Sequence, residues 1–310
     1  HKYMYTNDYI YVEVEVGRPI TVKQAVNYIR MDDPRTRLQL TEKTTVDYVP
    51  ATTLLLPVNK ENVLATGLVK PEDAHMIVDT ITINLKGKGS LEKPEMMFLD
   101  LLANFDWKRP LYFTQPSSIA SFGLLDYLQF DGYAYRLVPI KTAYKDSWSI
   151  GRIDADYLYN NLMNVFRYGN VSDPKVYVDS FVQYNFNASQ IRVAFARLAM
   201  ELFQRGDSEG AVKVLDHCME QIPVVPGGFR WSMQHIPLVR AYYAVGATEK
   251  GDAILVAFAN VMKEYIDYFT RFPEQKHGLI ANQMDEKLAI LAELHRIAEA
   301  NGRTEITEDI

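Results

Sequence analysis

The N-terminal half of the chain mixes two periods of hydrophobic and polar residues. Residues 9–16, YIYVEVEV, alternate between apolar and polar positions, which predicts a half-buried β-strand. Thr21 is followed three residues later by Gln24, and this capping box predicts a helix that runs to about Met31. The chain therefore begins with a strand followed by a helix.

A second strand and helix pattern follows between residues 53 and 105. Strands are expected over 53–58 and 77–85, and the KGKG sequence at 86–89 is typical of a turn. Pro94 suits the first turn of a helix. The apolar residues that recur at helical spacing after it are Met97, Phe98, Leu101, Leu102 and Phe105. They predict the apolar face of that helix.

The rest of the first half predicts two strands and one helix. Residues 111–114, LYFT, indicate a buried strand that is central to its sheet, with Pro110 at its start. A helix capped by a serine is expected over 117–130, and a last strand over 133–140. Strands that alternate with helices predict a mixed α/β domain over residues 1–150.

From Asp154 onward the apolar residues follow the helical period, which predicts an all-α domain over 151–310. The segment 192–223 resembles a tetratricopeptide repeat, with small residues between two helices, Gly at the turn and Pro at the end. The signature positions are Phe195, Leu198, Ala199, Leu202, Gly206, Ala211, Leu215, Cys218 and Pro223. A looser copy near His235 and a helix over 278–300 complete a short helical stack, and such stacks commonly hold peptides or partner domains. The fold class expected for the whole chain is α+β.

Composition excludes several classes of function. The chain has 310 residues and a formal net charge of -6, and it carries no dense run of Lys or Arg, so nucleic acid is not expected as a partner. One cysteine, Cys218, excludes an internal disulfide and a paired-cysteine zinc site. No histidine pair has the helical metal spacing, and no nucleophile signature is present. No catalytic residue and no cofactor are therefore predicted.

The stretch NFDWKRPLYFTQP, residues 104–116, is one candidate binding site. Trp107, Lys108 and Arg109 would form a clamp for a sugar or phosphate group. In the structural interpretation, which we favour, Trp107 covers the end of the preceding helix and Arg109 pairs with a carboxylate such as Asp100 or Asp106. Nearby aromatic and basic side chains are further candidate ligand-binding residues: Tyr133, Tyr135 and Arg136.

Asp154 and Asp156 form a D-x-D pair, which holds a divalent cation in nucleotide-sugar transferases because hard cations prefer carboxylate oxygens. A helix follows at once, so Asp154 is better interpreted as a helix cap and Asp156 as a first-turn acid. These two residues are the only metal-ligand candidates, and we expect no metal site.

Three long segments resemble one known family. They are GRPITVKQAVNYIRMDDPRT at 17–36, EKPEMMFLDLLANFDWKRPLYFT at 92–114 and GYAYRLVP at 132–139. They are similar to the C-terminal soluble region of the bacterial membrane family named domain of unknown function 2723, which is grouped with protein O-mannosyl/O-glycosyltransferases. The similarity spans roughly residues 11–300. It implies that the chain is the tail of a larger protein whose catalytic acid lies in a membrane half outside this sequence.

The resemblance implies a non-catalytic module on the periplasmic face of the bacterial inner membrane. Its expected partners are its own N-terminal membrane domain and exported acceptor polypeptides. Two alternatives remain open: a sugar- or phosphate-binding transferase site within this fragment, and a structural spacer. Thr80, within Asp79-Thr80-Ile81, also matches the short acceptor pattern of the same glycosylation systems, so the domain itself is a candidate for glycosylation.

Overall fold

The computed structural model describes residues 9–12, 18–173, 175–177, 179, 190–222, 235–273 and 277–310. These residues form two compact units. The first, which we call the α/β unit, comprises the described residues up to Phe130 together with Ala134–Arg152. The second, the helical unit, comprises Asp131–Tyr133 and the described residues from Ile153 to Ile310. Strands and helices are both present, which confirms the α+β class.

The α/β unit contains short strands and short helices. The strands are β1 (Tyr9–Val12), β2 (Ile20–Thr21), β3 (Arg37–Thr41), β4 (Thr44–Val49), β5 (Thr53–Pro57), β6 (Thr80–Asn84), β7 (Ser90–Glu92), β8 (Tyr112–Phe113), β9 (Leu128–Phe130) and β10 (Tyr135–Leu137). The helices are α1 (Val22–Arg30), α2 (Lys60–Ala65), α3 (Lys93–Ala103) and α4 (Ser117–Ala120). Short 3-10 turns occupy Pro34–Thr36, Pro71–Met76 and Leu125–Tyr127.

The described strands pair in three small sheets, with the orders β3-β4-β1-β7, β2-β5-β6 and β8-β10-β9. The pairs β1–β4 and β2–β5 are parallel, and the other pairs are antiparallel. Because the parallel strands β2 and β5 are each followed by a helix, α1 and α2 both begin at the carboxyl end of this sheet. Such an end of a parallel sheet is a common position for a groove.

The first predicted elements have the expected type. Thr21 Oγ1 accepts a hydrogen bond from Gln24 N at 3.1 Å, and Gln24 Oε1 accepts one from Thr21 N at 2.8 Å. This confirms the capping box and the helix that follows it. The predicted strand over 9–16 is present as β1, and its residues 13–16 lie outside the described part of the chain.

Helix α3 is present at the predicted position, but its apolar face was only partly predicted, since Leu102 is buried as expected and two other predicted residues are exposed. Met97 and Leu101 are 66% and 46% exposed, whereas Met96, Leu99 and Leu102 are buried. The apolar residues extend around most of this helix, so spacing alone could not select the face. Packing of α3 against α1, β1 and β7 selects it.

The segment from 111 to 130 also differs from its prediction. The strand expected at the centre of a sheet is the two-residue edge strand β8, in which Tyr112 is 43% exposed. The helix expected over 117–130 ends at Ala120, because the chain turns at Gly123, whose φ is +72°. Residues 128–130 then pair with β10 instead of continuing a helix. Long-range strand pairing therefore overrides the local helical pattern.

The helical unit contains α5 (Ala155–Asn160), α6 (Gln190–Gln204), α7 (Ser208–Gln221), α8 (Ile236–Ala244), α9 (Thr248–Thr270), α10 (His277–Ala300) and α11 (Thr304–Asp309). A π-helical turn, Asn161–Val165, continues α5, and residues 166–173 are irregular, so the helical pattern is less continuous than predicted. Helices that follow one another pack together: α6 on α7, α8 on α9, and α9 on α10. Helix α6 also packs on α8, so the described helices share one core.

Candidate functional site

The predicted clamp residues do not form a clamp. The Trp107 side chain is 1% exposed, and its Nε1 donates a hydrogen bond to Pro57 O at 2.9 Å. Its backbone φ is +65°, a left-handed conformation that is unusual for a bulky residue. Phe105 packs on the indole at a ring distance of 4.7 Å. Trp107 is therefore a buried packing residue and offers no open face for a sugar.

Lys108 and Arg109 are exposed beside this buried ring. Lys108 Nζ lies 3.4 Å from Asp106 Oδ2, and a hydrogen bond from Lys108 N is the main reason that the pKa of Asp106 is lowered. The predicted partners of Arg109 bind other cations, because Asp100 pairs with Arg30 at 2.5 Å and Asp106 with Lys108. The predicted pairing of Arg109 with either carboxylate was therefore wrong.

The other candidate ligand residues lie in separate packing clusters. Tyr133 packs on Phe166 at a ring distance of 4.8 Å, and burial raises the pKa of its hydroxyl. Tyr135 stacks on Phe130 at 4.7 Å, and Arg136 is 6% exposed within β10. These side chains fill the interior of their own units instead of lining an open site.

Asp154 is the N-cap of α5, since its Oδ1 accepts a hydrogen bond from Tyr157 N at 3.1 Å. Asp156 follows in the first turn of that helix. Among the described residues, no group of three or more His, Cys, Asp or Glu side chains could hold a metal ion. The geometry agrees with the capping interpretation of this pair.

The repeat signature positions form the hairpin between α6 and α7. Six of them are buried: Phe195, Leu198, Ala199, Ala211, Leu215 and Cys218. Leu202 is half-buried, Gly206 makes the turn with a φ of +87°, and Pro223 lies outside the described residues. Asp207 caps α7 by accepting a hydrogen bond from Gly210 N at 2.8 Å. The hairpin is therefore present, and its assignment to the tetratricopeptide class stays a prediction.

Cys218 and Arg192 lie in the interior of this hairpin. Arg192 is fully buried and donates a hydrogen bond to Ile222 O at 2.8 Å. Burial raises the pKa of the Cys218 thiol to about 12, although the nearby guanidinium opposes the shift. The thiol is therefore protonated near neutral pH, which is the opposite of what a nucleophilic cysteine requires.

An open groove runs along the outer face of α7, and we call it the α7 groove. Its first part encloses about 660 Å³ and is lined by Met163, Ser208, Glu209, Val212, Lys213, Asp216, His217, Glu220 and Val245. An adjoining part of about 500 Å³ is lined by Ala155, Asp156, Tyr159, Leu202, Asp207, Glu209, Gly210 and Lys213. Glu209 and Lys213 belong to both parts, so the two parts adjoin along α7.

The sequence places one face of α7 inward and another into this groove. Ala211, Val214, Leu215 and Cys218 are buried, whereas the groove face carries Glu209, Val212, Lys213, Asp216 and Glu220. Asp216 is held by Lys250 Nζ at 2.7 Å and by the Tyr242 hydroxyl at 3.4 Å. This ion pair connects α7 to the start of α9 beside the groove.

The sequence did not reveal the α7 groove. Its charged residues look like an ordinary solvated helix face, and Met163 comes from a π-helical turn that no pattern indicated. The available signal was Val212, an apolar residue between Glu209 and Lys213 that does not share the buried stripe of the helix.

A second groove, of about 860 Å³, lies at the carboxyl ends of β2 and β5. Several of its polar groups are already engaged: Lys60 Nζ pairs with Asp79 Oδ1 at 2.8 Å, and Asn59 caps α2 by accepting from Asn62 N at 3.0 Å. The start of α1 is closed by its own capping box.

Thr80, the predicted glycosylation acceptor, is the first residue of β6. It is half-buried and lies opposite Pro57 in the antiparallel pair with β5, beside the exposed Asp79. Its modification stays a prediction.

Comparison with known proteins gives one result. No curated protein and no solved structure matches the chain. Within the described residues, none of the helices combines the length and the apolar character that a membrane crossing requires. A family model described as TMEM260-associated domain 2 matches residues 1–157, which is just over half of the 310 residues. The chain belongs to the TMEM260-associated domain 2 family.

Proposed function

We propose that this chain is a non-catalytic module of a membrane-associated protein and that its helical unit holds a polypeptide in the α7 groove. The observation that carries this proposal is the groove itself, which is open to solvent, partly apolar and made of two adjoining parts. Helical stacks expose grooves of this kind for extended or helical segments of other proteins. The α7 groove has both the apolar floor and the polar rim that such binding needs.

The larger protein in this proposal is the domain of unknown function 2723 type, an O-glycosyltransferase-like membrane protein. The module would lie on the periplasmic face of the bacterial inner membrane, and the bound polypeptide would be an exported acceptor. The family match to a TMEM260-associated domain and the resemblance of residues 17–36 and 92–114 support this assignment. The buried, protonated Cys218 supports a binding role over thiol chemistry.

In the same proposal the α/β unit contacts the membrane domain. Helix α3 supports this role, because Met97 and Leu101 lie one turn apart and expose their apolar side chains. An apolar pair on an outer helix face is a suitable contact for another protein surface. Replacing both residues by Asp should weaken co-purification with the membrane domain without unfolding the chain. Unchanged co-purification would exclude this face.

The proposal of a peptide groove is tested by titrating unstructured peptides into the whole chain in a calorimeter. Val212→Asp places a charge on the apolar floor and should abolish binding, because the carboxylate would lose water on contact with the peptide. Val256→Asp is the matched control, since Val256 is exposed on α9 and does not line the groove. Absence of binding by the unmodified chain would refute the proposed function.

The alternative of a sugar- or phosphate-binding site has less support from the geometry. Trp107 is buried, and Lys108 is engaged by Asp106, so the residues proposed for a clamp do not converge. A ligand that binds the folded state raises its melting temperature. A clear rise with nucleotide sugars and Mg²⁺ would favour the alternative over the polypeptide groove.

A further inference from the structure

The α7 groove carries an excess of negative charge. Its acidic lining residues are Asp156, Asp207, Glu209, Asp216 and Glu220, and Lys213 is the only lysine among its described lining residues. The formal net charge of the whole chain is -6, so this one groove holds a large share of the acidic excess. We infer that the α7 groove binds a cationic, extended polypeptide segment, an inference that rests on the polypeptide-binding function proposed above.

Three of these five carboxylates are already engaged by the fold, and one of the three is Asp156, which has a partner of its own. Asp207 accepts the capping hydrogen bond of α7, and Asp216 pairs with Lys250. Glu209 and Glu220 differ from them, because neither forms a salt bridge with a residue in the described part of the chain. Glu209 and Glu220 are therefore the two carboxylates that could form salt bridges with cations of a bound ligand.

Glu209 and Glu220 lie at opposite ends of the groove face of α7. They are separated by three helical turns, so both side chains point to the same side, about 16 Å apart along the axis. An extended chain advances about 3.3 Å per residue. Alternate residues of an extended chain face the same side, so the spacing must be an even number of residues. A bound segment should therefore carry its two cations about four or six residues apart.

The middle of the groove sets a second requirement. Lys213 lies between the two glutamates, and it would repel a third cation placed there. Met163, Val212 and Val245 supply apolar surface in the same region. The matching segment therefore has lysine or arginine at its two ends and small apolar or hydroxyl residues between them. Its chemistry is that of a polypeptide, since a nucleic acid or an anionic membrane would be repelled by this lining.

The inference is tested with capped peptides and the whole chain, measured by fluorescence anisotropy. The probe has two lysines about six residues apart, so that both face the same side of an extended chain, and they are separated by Ala, Ser and Val. Three control peptides have the same length: one with both lysines adjacent, one with Gln at both positions, and one with Glu at both. We expect the spaced dilysine probe to bind about tenfold more tightly than the Gln peptide, and the Glu peptide to bind weakest. The affinity of the probe should fall as salt is added.

Variants on the protein side give an independent measurement. Glu209→Gln and Glu220→Gln should each weaken binding of the dilysine probe by about threefold and leave binding of the Gln peptide unchanged. Glu264→Gln is the matched control, because Glu264 is exposed on α9 outside the groove and should have no effect. A variant with both Glu209→Gln and Glu220→Gln should bind the dilysine probe no more tightly than the Gln peptide. This result would support the assignment of the two glutamates as the cation-binding residues.

The outcomes separate this inference from the function on which it rests. Equal binding of the lysine, glutamine and glutamate peptides would overturn the charge preference and leave the polypeptide groove standing. Preference for the Glu peptide would overturn it as well. Absence of binding for every peptide would remove both the inference and the proposed function.

Discussion

The two units differ in the range of the contacts that hold them together. In the α/β unit, decisive contacts join distant segments: Trp107 donates to Pro57, 50 residues away, and Arg152 pairs with Asp73, 79 residues away. In the helical unit, the most extensive packing joins helices that follow one another in sequence, as α6 packs on α7 and α9 packs on α10. The α/β unit should therefore unfold as a whole when one contact is lost, whereas damage in the helical unit should stay more local.

The largest effect is expected from Trp107→Ala. Removing this buried indole leaves a cavity and an unpaired carbonyl at Pro57, and the free energy of unfolding of the α/β unit should fall by about 4 kcal/mol. Urea titration followed by circular dichroism measures the change. Trp148→Ala removes a partly exposed ring of the same unit and should lower the free energy of unfolding much less. A loss below about 1 kcal/mol for Trp107→Ala would contradict the central role of this contact.

A smaller loss, in the helical unit, is expected from Gly132→Ala. The backbone φ at Gly132 is +109°, and an added Cβ would lie 2.7 Å from Phe166 Cε2. Strain and overpacking together should lower the free energy of unfolding by about 3 kcal/mol. Gly169→Ala is the matched control, because Gly169 also has a positive φ but has open space around it. If both variants lost the same amount, the contact with Phe166 would be unimportant.

Asp252→Asn tests whether damage in the helical unit stays local. The Asp252 carboxylate accepts hydrogen bonds from the Tyr243 hydroxyl at 2.7 Å and from Arg303 Nε at 2.9 Å, so it joins α8, α9 and the turn before α11. We expect a loss of about 2 kcal/mol in the free energy of unfolding. Hydrogen exchange should rise in these helices and not in α6 or α7. Asp267→Asn, at an exposed position of α9, is the control.

The smallest effect is a decline of stability at alkaline pH. Burial raises the pKa of Cys218 from 9.0 to about 12, so between about pH 9 and 10 the thiol loses its proton only in the unfolded chain. A group with a raised folded pKa stabilises the fold fully below its unfolded pKa, and this contribution falls as pH rises. The helical unit should lose about 1 kcal/mol over this interval. Burial also raises the pKa of Tyr242 and Tyr243, and this adds to the decline.

Cys218→Ala provides the control for the pH experiment. Its stability should decline less steeply than that of the unmodified chain over the same interval, because one titrating group is absent. Arg192 keeps its proton in both states over most of this range, since burial lowers its pKa only to about 10. An identical slope in the two proteins would show that Cys218 does not cause the decline.

Elements held by local contacts were predictable from the sequence, whereas elements that depend on contacts between distant segments were not. Local signals were sufficient for α1, whose capping box lies within four residues, and for the hairpin of α6 and α7. They failed over 117–130, where residues 128–130 form a strand because β10 lies beside them. The exposed face of α3 could not be predicted either, since it depends on which elements pack against that helix.

The sequence predicted that the helical unit would have a groove, but it did not predict which residues line that groove. A helical stack with a groove followed from the small residues and the turn glycine, Gly206. The residues singled out for binding were chosen by type, as aromatic or basic, and most of them fill the interior, as Trp107 and Tyr135 do. The groove is lined by Glu209, Val212 and their neighbours on α7, and its other walls come from α5, its π-helical turn and Val245, which are distant from α7 in sequence.

Helix α9 has a consequence for the dynamics of the chain. Its 23 residues span about 34 Å, whereas the nine residues of its neighbour α8 span about 13 Å. Beyond Met262, Phe269 is the only buried residue of α9, and no side chain of α10 is buried between residues 278 and 289. The end of α9 and the start of α10 should therefore separate and repack many times before the rest of the helical unit unfolds once. A protease that cuts near Tyr268 would therefore cleave a chain that is otherwise intact.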